Sequence, residues 1–245
     1  MTNPATEPLK RTPLHALHLE LGGKMAPFAG YDMAISYRGR GIIAEHNHTR
    51  QKASLFDVSH MGQAWLRGGD TTSVMESLVA ADIQGLAAGR MRYALLTNEA
   101  GGIIDDLIFT KMDDCLFLVV NAARKEADFA HIETHLKDRA AELEVISERA
   151  LLAVQGPLAA KVLAALAPSS ANLAFMSAAD MEVAGVPCLV TRSGYTGEDG
   201  FEISAPEAQA ERLARIMLKD DALEAAGLGA RDSLRLEAGF CLYGA

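Results

Sequence analysis

Two adjacent carboxylates, Asp105 and Asp106, interrupt an apolar segment that runs from Ile103 to Phe109. The segment is typical of a strand, and a carboxylate in apolar surroundings must find hydrogen-bond donors or stay protonated. Because neighbouring strand residues point to opposite faces, at most one of the two acids faces a given pocket while the other faces a partner or solvent. One carboxylate is therefore a candidate reactive group. The alternative is an edge strand with solvated acids.

The glycine-rich segment 194–200 resembles a phosphate-binding loop, but its composition argues against an anion site. No lysine follows the glycines, and Glu198 and Asp199 would repel a phosphate. The segment predicts a tight turn that presents Tyr195, with Glu202 following at the start of a strand. A carboxylate such as Glu202 can accept two parallel hydrogen bonds from a planar ring edge, as in a pterin or a guanine. A solvated glycine-rich hairpin is the alternative.

Arg231 stands at the start of a predicted helix, after Gly227 and Gly229. These glycines weakly resemble a dinucleotide-binding fingerprint, but no strand is predicted before them, which disfavours that function. Arg231 could bind a ligand carboxylate, or it could pair with Asp232 or another neighbouring acid.

Histidine pairs raise the question of a metal site. His46 and His48 are two apart on a predicted helix and so lie on different faces, where they cannot chelate one ion together. His131 and His135 are four apart, but they lie away from the apolar stripe and are interpreted as a solvated face. The sequence predicts no metal site.

The composition limits the kind of partner. Of 245 residues, 49% are hydrophobic, and the formal net charge is −9 with no basic block, which disfavours nucleic acid and anionic membranes. The three cysteines, Cys115, Cys188 and Cys241, are predicted to be buried free thiols, as suits a reducing compartment. The first residues show neither a signal core nor a presequence, and we therefore expect a cytoplasmic protein.

Hydrophobic periodicity predicts an α+β protein with antiparallel sheets, because hairpins outnumber strand-helix-strand crossovers. Ser73 and Glu76 are spaced as a capping box. The region after residue 182 is predicted to hold a strand over 183–192, interrupted by Gly185 and Pro187, and a helix over 222–226. Because no clean linker is found, we expect two intertwined lobes with flanking helices, one formed by 1–54 plus 150–245 and the other by 55–149.

Seven motifs occur in one order along the chain, and together they carry a resemblance. They are Arg11-Thr-Pro-Leu-His15, Phe56-Asp-Val-Ser-His-Met61, the segment 98–107 with its Gly-Gly-Ile-Ile-Asp-Asp core, Val120-Asn-Ala122, Gln155-Gly-Pro157, Arg192-Ser-Gly-Tyr-Thr-Gly-Glu-Asp-Gly-Phe-Glu202 and Gly227-Leu-Gly-Ala-Arg-Asp-Ser-Leu-Arg-Leu-Glu237. This series closely resembles the T-protein of the glycine cleavage system, a family of tetrahydrofolate-dependent aminomethyltransferases, over essentially the whole chain.

The resemblance implies a reaction and a set of residues. Family members take the aminomethyl group from the lipoyl arm of the H-protein, release ammonia and form 5,10-methylenetetrahydrofolate. The position of the family's key acid is Asp106, which would orient the folate and stabilise developing positive charge. The positions implied for folate contacts are Met61, Tyr93, Asn121, Tyr195, Glu202 and Arg231. A family tyrosine appears here as Phe240.

The sequence departs from the family at its end. Family members continue into a C-terminal barrel-like domain, so the chain is interpreted as a truncated T-protein without that domain. Two other interpretations stay open, namely an inactive fragment and a non-catalytic folate-binding protein of the iron-sulfur maintenance type. Against the latter, Cys241 lacks the Lys-Gly that precedes the cysteine of that group. A folate-linked demethylase fragment is disfavoured because no flavin-binding segment is found.

Overall fold

A computed structural model describes residues 8–244, which form seven α-helices, one 3-10 helix and thirteen strands. The helices are α1 His15–Glu20, α2 Ile42–Gln51, α3 Thr71–Leu78, α4 Lys125–His135, α5 Ala159–Leu166, α6 Glu207–Met217 and α7 Leu228–Glu237, and the 3-10 helix is Pro168–Asn172. The strands are β1 Gly23–Phe28, β2 Tyr31–Tyr37, β3 Ala53–Asp57, β4 Gly62–Gly68, β5 Arg90–Thr97, β6 Ile103–Lys111, β7 Cys115–Val120, β8 Ala141–Ile146, β9 Arg149–Gln155, β10 Ala178–Val183, β11 Val186–Thr191, β12 Gly200–Pro206 and β13 Leu223–Ala225.

The strands form three sheets, which confirms the predicted α+β class. A six-stranded sheet has the order β10-β11-β12-β9-β3-β13, a five-stranded sheet has the order β5-β6-β7-β4-β8, and β1 pairs with β2. Paired strands are antiparallel except β13, which is parallel to β3. Strand β3 spans the predicted lobe boundary and lies wholly in the six-stranded sheet; the division of the chain into two lobes stays a prediction.

The two large sheets face each other across a shared apolar layer. Phe56 and Leu151 of the six-stranded sheet lie in one cluster with Phe117 and Val119 of the five-stranded sheet, and Leu234 of α7 joins them. The outer face of the six-stranded sheet packs with α1, α5 and α6, and that of the five-stranded sheet with α3 and α4. Alternation along each strand therefore decides which side chains enter the space between the sheets. Among residues 8–244, no helix is long and apolar enough to cross a bilayer.

Two predicted elements near the C-terminus are wrong. The interrupted strand 183–192 is a hairpin, in which β10 turns at Ala184 and Gly185 into β11. Both turn residues have positive φ, 51° and 74°, which alanine seldom adopts and which therefore gave no turn signal. The predicted helix 222–226 is β13, because pairing with β3 overrides the helix propensity of an alanine-rich segment.

The predicted capping box is also wrong. Helix α3 begins after Asp70 with no side-chain cap. Glu76 instead accepts hydrogen bonds from the backbone N–H of Ile83, at 3.1 Å, and from the side chain of Gln84. The carboxylate therefore holds the loop after the helix.

Gly227 allows the start of α7 to approach strand β2 closely. A Cβ atom at this position would lie 2.2 Å from the carbonyl carbon of Ile35. The backbone N–H of Gly227 also donates to the buried carboxylate of Glu45 at 2.9 Å. These contacts explain the glycine by packing, and a strand, β13, does precede it.

Gly227→Ala is expected to lower the free energy of unfolding by about 1–3 kcal/mol, because the added methyl group displaces backbone. The φ of Gly227 is −91°, so the cost is steric and not conformational. Thermal denaturation measures it. Gly69→Ala is the matched control, since a Cβ there meets nothing within 4 Å, and an equal melting temperature for both variants would contradict the role of the close approach.

Candidate active site between the two sheets

Strand β6 is an inner strand, and it directs its two acids to opposite faces. It lies between β5 and β7, so the solvated edge strand is excluded. Asp105 is fully buried on the face of Leu107 and Phe109, which pack under α3 and α4. Asp106 is half-buried on the other face, with Ile108, and this face looks toward the six-stranded sheet. The prediction that the two acids point to opposite faces is therefore confirmed, with Asp105 beside Asn121 in the interior and Asp106 toward the space between the sheets.

Asn121 holds both acids at the end of the neighbouring strand β7. Its side-chain nitrogen donates to Oδ1 of Asp106 at 2.9 Å and to Oδ1 of Asp105 at 3.0 Å, and it lies 3.2 Å from the carbonyl oxygen of Asp106. A single amide thereby fixes the direction of the Asp106 carboxyl group.

Tyr93 reaches Asp106 from the other neighbouring strand. Leu95 of β5 pairs with Asp106, so Tyr93, two residues earlier, lies on the same face and diagonally opposite the acid. Burial, with the charge and hydrogen bonding of Asp106, raises the pKa of Tyr93 to about 12. The phenol therefore stays protonated and is available as a hydrogen-bond donor on the face of Asp106.

The pKa of Asp106 lies above its ordinary value. Burial raises it most, the neighbouring Asp105 raises it further, and the hydrogen bonds from Asn121 and Tyr93 oppose the rise. Asp106 therefore binds a proton more readily than a solvated aspartate does, as suits a group that works close to a proton transfer.

A second polar group lies on the six-stranded sheet and α7. Glu202 is 8% exposed on β12, and its Oε2 accepts a hydrogen bond from Oγ of Ser193 at 3.3 Å. The other oxygen, Oε1, is 4.0 Å from Nη2 of Arg231. Nη1 of Arg231 is buried and has no hydrogen-bond partner among residues 8–244. Burial lowers the pKa of Arg231, and the charge of Glu202 opposes this effect.

Tyr195 connects Arg231 to the segment that follows α7. The guanidinium of Arg231 lies 5.0 Å from the centre of the Tyr195 ring, and Phe240 stacks on that ring at 5.8 Å between centres. The Tyr195 hydroxyl donates to the carbonyl oxygen of Cys241. Phe240 therefore provides an aromatic face.

The two groups belong to one region. The charge of Asp106 contributes to a raised pKa of Tyr195, and Tyr195 contributes to the raised pKa of Tyr93. The loop between β11 and β12, which carries Tyr195, therefore lies near the face of Asp106. Deeper between the sheets lies a cavity of about 10 Å³, lined by Ile108 and Thr110 on one side and by Glu202 and Ser204 on the other. Ile108, on the face of Asp106, and Glu202 therefore meet at one cavity between the sheets.

Met61 stands apart from these polar groups. It follows β3 in the loop to β4 and packs against the apolar cluster between the sheets. Its contribution to a site would be an apolar contact.

Two buried polar residues near this region, Asp128 and His60, were not among the predicted site residues. Asp128 of α4 is fully buried on the side of Asp105. It precedes Ile132 by one helical turn, and this position on the apolar stripe was the available signal. Burial lowers the pKa of His60 to about 4. The charge of Arg231 lowers it further and the charge of Asp57 opposes the fall, so His60 is neutral at pH 7.

The histidines of α2 serve structural contacts. His46 is hydrogen-bonded to Ser233, at 2.8 Å, and to Glu237, at 3.1 Å, which joins α2 to α7. Within residues 8–244, no three side chains of the metal-binding types are grouped to hold an ion.

Of the three cysteines, Cys115 and Cys188 are buried as predicted, and the prediction for Cys241 is wrong. Cys241 is exposed because it lies beyond α7, outside the sheets.

The class that the geometry defines is thus an α+β protein of mainly antiparallel sheets, with an acid, an amide and a tyrosine on one sheet and a buried glutamate and arginine on the other sheet and α7. Comparison with known proteins places it further. A family model, the GCVT N-terminal domain, matches residues 14–245. The aminomethyltransferase, mitochondrial, of Homo sapiens is 51% identical, with 98% of this chain and 61% of the relative covered. That of Dictyostelium discoideum is 45% identical, with 96% and 62% covered.

Solved structures agree with this placement. The glycine cleavage system aminomethyltransferase T from Bartonella henselae superposes with a TM-score of 0.89 at 42% identity, covering 96% of this chain and 64% of that chain. The heterotetrameric sarcosine oxidase from Corynebacterium sp. U-96, at 17% identity and a TM-score of 0.60, shares the fold. The chain belongs to the GCVT N-terminal domain family, and the resemblance to T-proteins is confirmed. The chain spans about three fifths of the length of the curated relatives it matches.

Proposed function

We propose that this chain carries the one-carbon transfer site of a glycine cleavage aminomethyltransferase. The reaction takes the aminomethyl group from the lipoyl arm of an H-protein, releases ammonia and gives 5,10-methylenetetrahydrofolate. The observation that carries the proposal is the position of Asp106, which Asn121 holds on an inner strand, beside Tyr93 and on the face that looks toward the six-stranded sheet of Glu202. Relatives named aminomethyltransferase support the same chemistry.

The unpartnered polar atoms between the sheets fit tetrahydrofolate. Glu202 is buried, and its Oε1 has Arg231 only at 4.0 Å, which leaves lone pairs for the N–H groups of a pterin edge. Nη1 of Arg231 has no partner among the described residues and can bind an anionic group of the same ligand. Tyr93 and Tyr195 add aromatic faces, and Met61 adds an apolar one. When bound, tetrahydrofolate supplies the amines that accept the methylene carbon.

Asp106 has the central part in the chemistry that the chain itself provides. Its carboxylate, oriented by Asn121, stabilises positive charge that develops at the reacting carbon as ammonia departs. Tyr93 keeps its proton, so it serves as a hydrogen-bond donor to this carboxylate and not as a base. The raised pKa of Asp106 suits a group that also takes up or returns a proton.

The partner that follows from this proposal is a lipoylated H-protein, and no metal is required. The predicted cytoplasmic location rests on free cysteines and on the first residues of the chain, and it stays a prediction.

Calorimetric titration of tetrahydrofolate into the chain tests the proposal. Glu202→Ala is expected to weaken binding by about 10- to 100-fold, because a hydrogen bond to a charged group contributes about 1.5–3 kcal/mol. Asp106→Asn is expected to keep binding within about threefold, since it preserves shape and the partners of the side chain. Glu142→Ala, at an exposed position of β8, is the matched control.

Thermal denaturation of Glu202→Ala and Glu202→Gln accompanies the titration, so that loss of folding is not mistaken for loss of binding. Binding by a folded Glu202→Ala variant at wild-type affinity would reject the pterin contact. Binding without ammonia release from loaded H-protein would instead favour a folate-binding protein that performs no transfer.

A further inference from the structure

Behind Asp106, two acids share one buried space. Asp105 of β6 and Asp128 of α4 are both fully buried on the side of the five-stranded sheet that packs against α3 and α4, and Asp105 is near enough to raise the pKa of Asp128. Oδ2 of Asp105 and both oxygens of Asp128 have no hydrogen-bond partner among residues 8–244. Three buried acceptor atoms without donors would be costly if both groups were ionised.

One proton shared between the two carboxyl groups removes this cost. A protonated carboxyl group is a donor, and like charges at contact distance cannot both persist in a buried space. The two acids are not equivalent, because Oδ1 of Asp105 accepts the N–H of Asn121 at 3.0 Å, which favours its ionised form. Asp128 accepts no such bond, so the proton belongs on Asp128.

We propose that Asp128 keeps its proton at neutral pH, donates it to Oδ2 of Asp105, and through Asp105 positions Asn121 and the Asp106 carboxyl group. Asp128 is in this view a positioning residue that contacts no substrate. The chain of hydrogen bonds runs from Asp128 to Asp105, and from both aspartates of β6 to the same Asn121 nitrogen. The link to transfer rests on the proposed function of Asp106, whereas the proton itself does not.

The charges around Asp128 agree with this assignment. Burial, then the hydrogen bond and charge of Asp105, raise the pKa of Asp128 to about 8, with Asp106 adding to the rise and Arg124 opposing it. Elements packed against α4 bring further acids that face elsewhere. Glu76 of α3 binds Ile83 and Gln84, and Glu142 and Glu144 of β8 are exposed.

A neutral Asp128 also limits the negative charge behind Asp106. The pKa of Asp106 is already raised by burial and by Asp105. A second full charge beside Asp105 would raise it further and favour the protonated form of Asp106. The shared proton therefore keeps Asp106 available as a carboxylate.

A carbon-13 NMR titration of aspartate carboxyl groups tests the proton directly and needs no ligand. One resonance is expected to titrate near pH 8 and to vanish in Asp128→Asn, while Asp113→Asn, at an exposed turn position, leaves it in place. If every aspartate of the folded chain is ionised at pH 7, or if the resonance persists in Asp128→Asn, the proposal is overturned.

The pH dependence of the protein's stability is an independent test of the proton on Asp128. Since the pKa of Asp128 is higher in the folded state than its ordinary 3.8, its stabilisation is complete below about pH 4 and is lost as the pH rises through about 8. The melting temperature of Asp128→Asn minus that of the wild type should therefore rise between these pH values and then level. A difference that stays constant across the range contradicts the proposal.

The positioning role has its own readout. Asn can still donate to Asp105 and Ala cannot, so the side-chain amide resonances of Asn121 should hold their positions in Asp128→Asn and shift in Asp128→Ala. Identical Asn121 spectra in both variants would overturn this role. If the carboxyl titration behaves as expected but the wild-type chain does not transfer the one-carbon group, the proposed function has failed and the shared proton stands.

Discussion

Asp106→Asn is expected to slow one-carbon transfer by about 10²- to 10⁴-fold, the usual size for loss of a positioned acid or base. Asparagine keeps the shape of the side chain but removes the charge that opposes positive charge at the reacting carbon. Release of ammonia from aminomethyl-loaded H-protein, measured with saturating tetrahydrofolate, gives the rate. The Michaelis constant for tetrahydrofolate should change little, since binding is assigned to Glu202 and Arg231.

The pH dependence of the transfer rate also tests whether the ionised Asp106 carboxylate is needed. Because burial and Asp105 raise the pKa of Asp106, the wild-type rate should fall on the acidic side at a pH above the ordinary aspartate range. That acidic limb should be missing from the residual activity of Asp106→Asn. Asp113→Asn, the same change at an exposed turn, should behave as the wild type. An Asp106→Asn variant with near wild-type turnover would remove Asp106 from the mechanism.

Asp57→Ala is expected to cost about 3–5 kcal/mol of stability, because it breaks a buried polar network. Nε2 of His18 lies 2.9 Å from Oδ2 of Asp57, and Nδ1 of His18 lies 2.8 Å from the Tyr37 hydroxyl. Oδ1 of Asp57 accepts the backbone N–H of Ser59 at 2.9 Å. Urea unfolding at pH 7 measures the loss, and Asp113→Ala should stay within about 0.5 kcal/mol of the wild type.

The sign of the pH effect follows from the pKa of Asp57. Burial alone would raise that pKa, but the hydrogen bonds from His18 and Ser59 and the charge of His18 hold it below its ordinary value of 3.8. The stabilisation is thus present above about pH 4 and is lost as the pH falls further. The stability gap between wild type and Asp57→Ala should therefore narrow in acid. A gap that widens in acid would mean that another group carries the effect.

The central hairpin could be predicted because its physics is local. Alternation along β5 and β6, with glycines between them, specified both strands. Strand β13 could not be predicted, because only β3, far away in sequence, makes 223–225 a strand. The β10–β11 turn was not predicted because Ala184 adopts a positive φ, which is uncommon for alanine.

The site shows the same division between local and long-range information. The strand period was enough to assign Asp105 and Asp106 to different faces. The partners of each acid depend on register, since the pairing of Leu95 with Asp106 brings Tyr93 into reach. Asp128 meets Asp105 only after a helix has packed on a sheet, and no spacing within the sequence indicates that contact.

The five-stranded sheet is formed by the chain segment that connects β3 to β9, and this order along the chain has a consequence for folding. Its strands come from residues 62–146, whereas β3 and β9, neighbours in the other sheet, precede and follow that whole segment. Closing so long a loop early costs chain entropy, whereas the β5–β6 and β6–β7 hairpins close short ones. The five-stranded sheet should therefore nucleate first, and its formation brings β3 and β9 together. The half of the site that holds Asp106 would then be assembled before the half that holds Glu202.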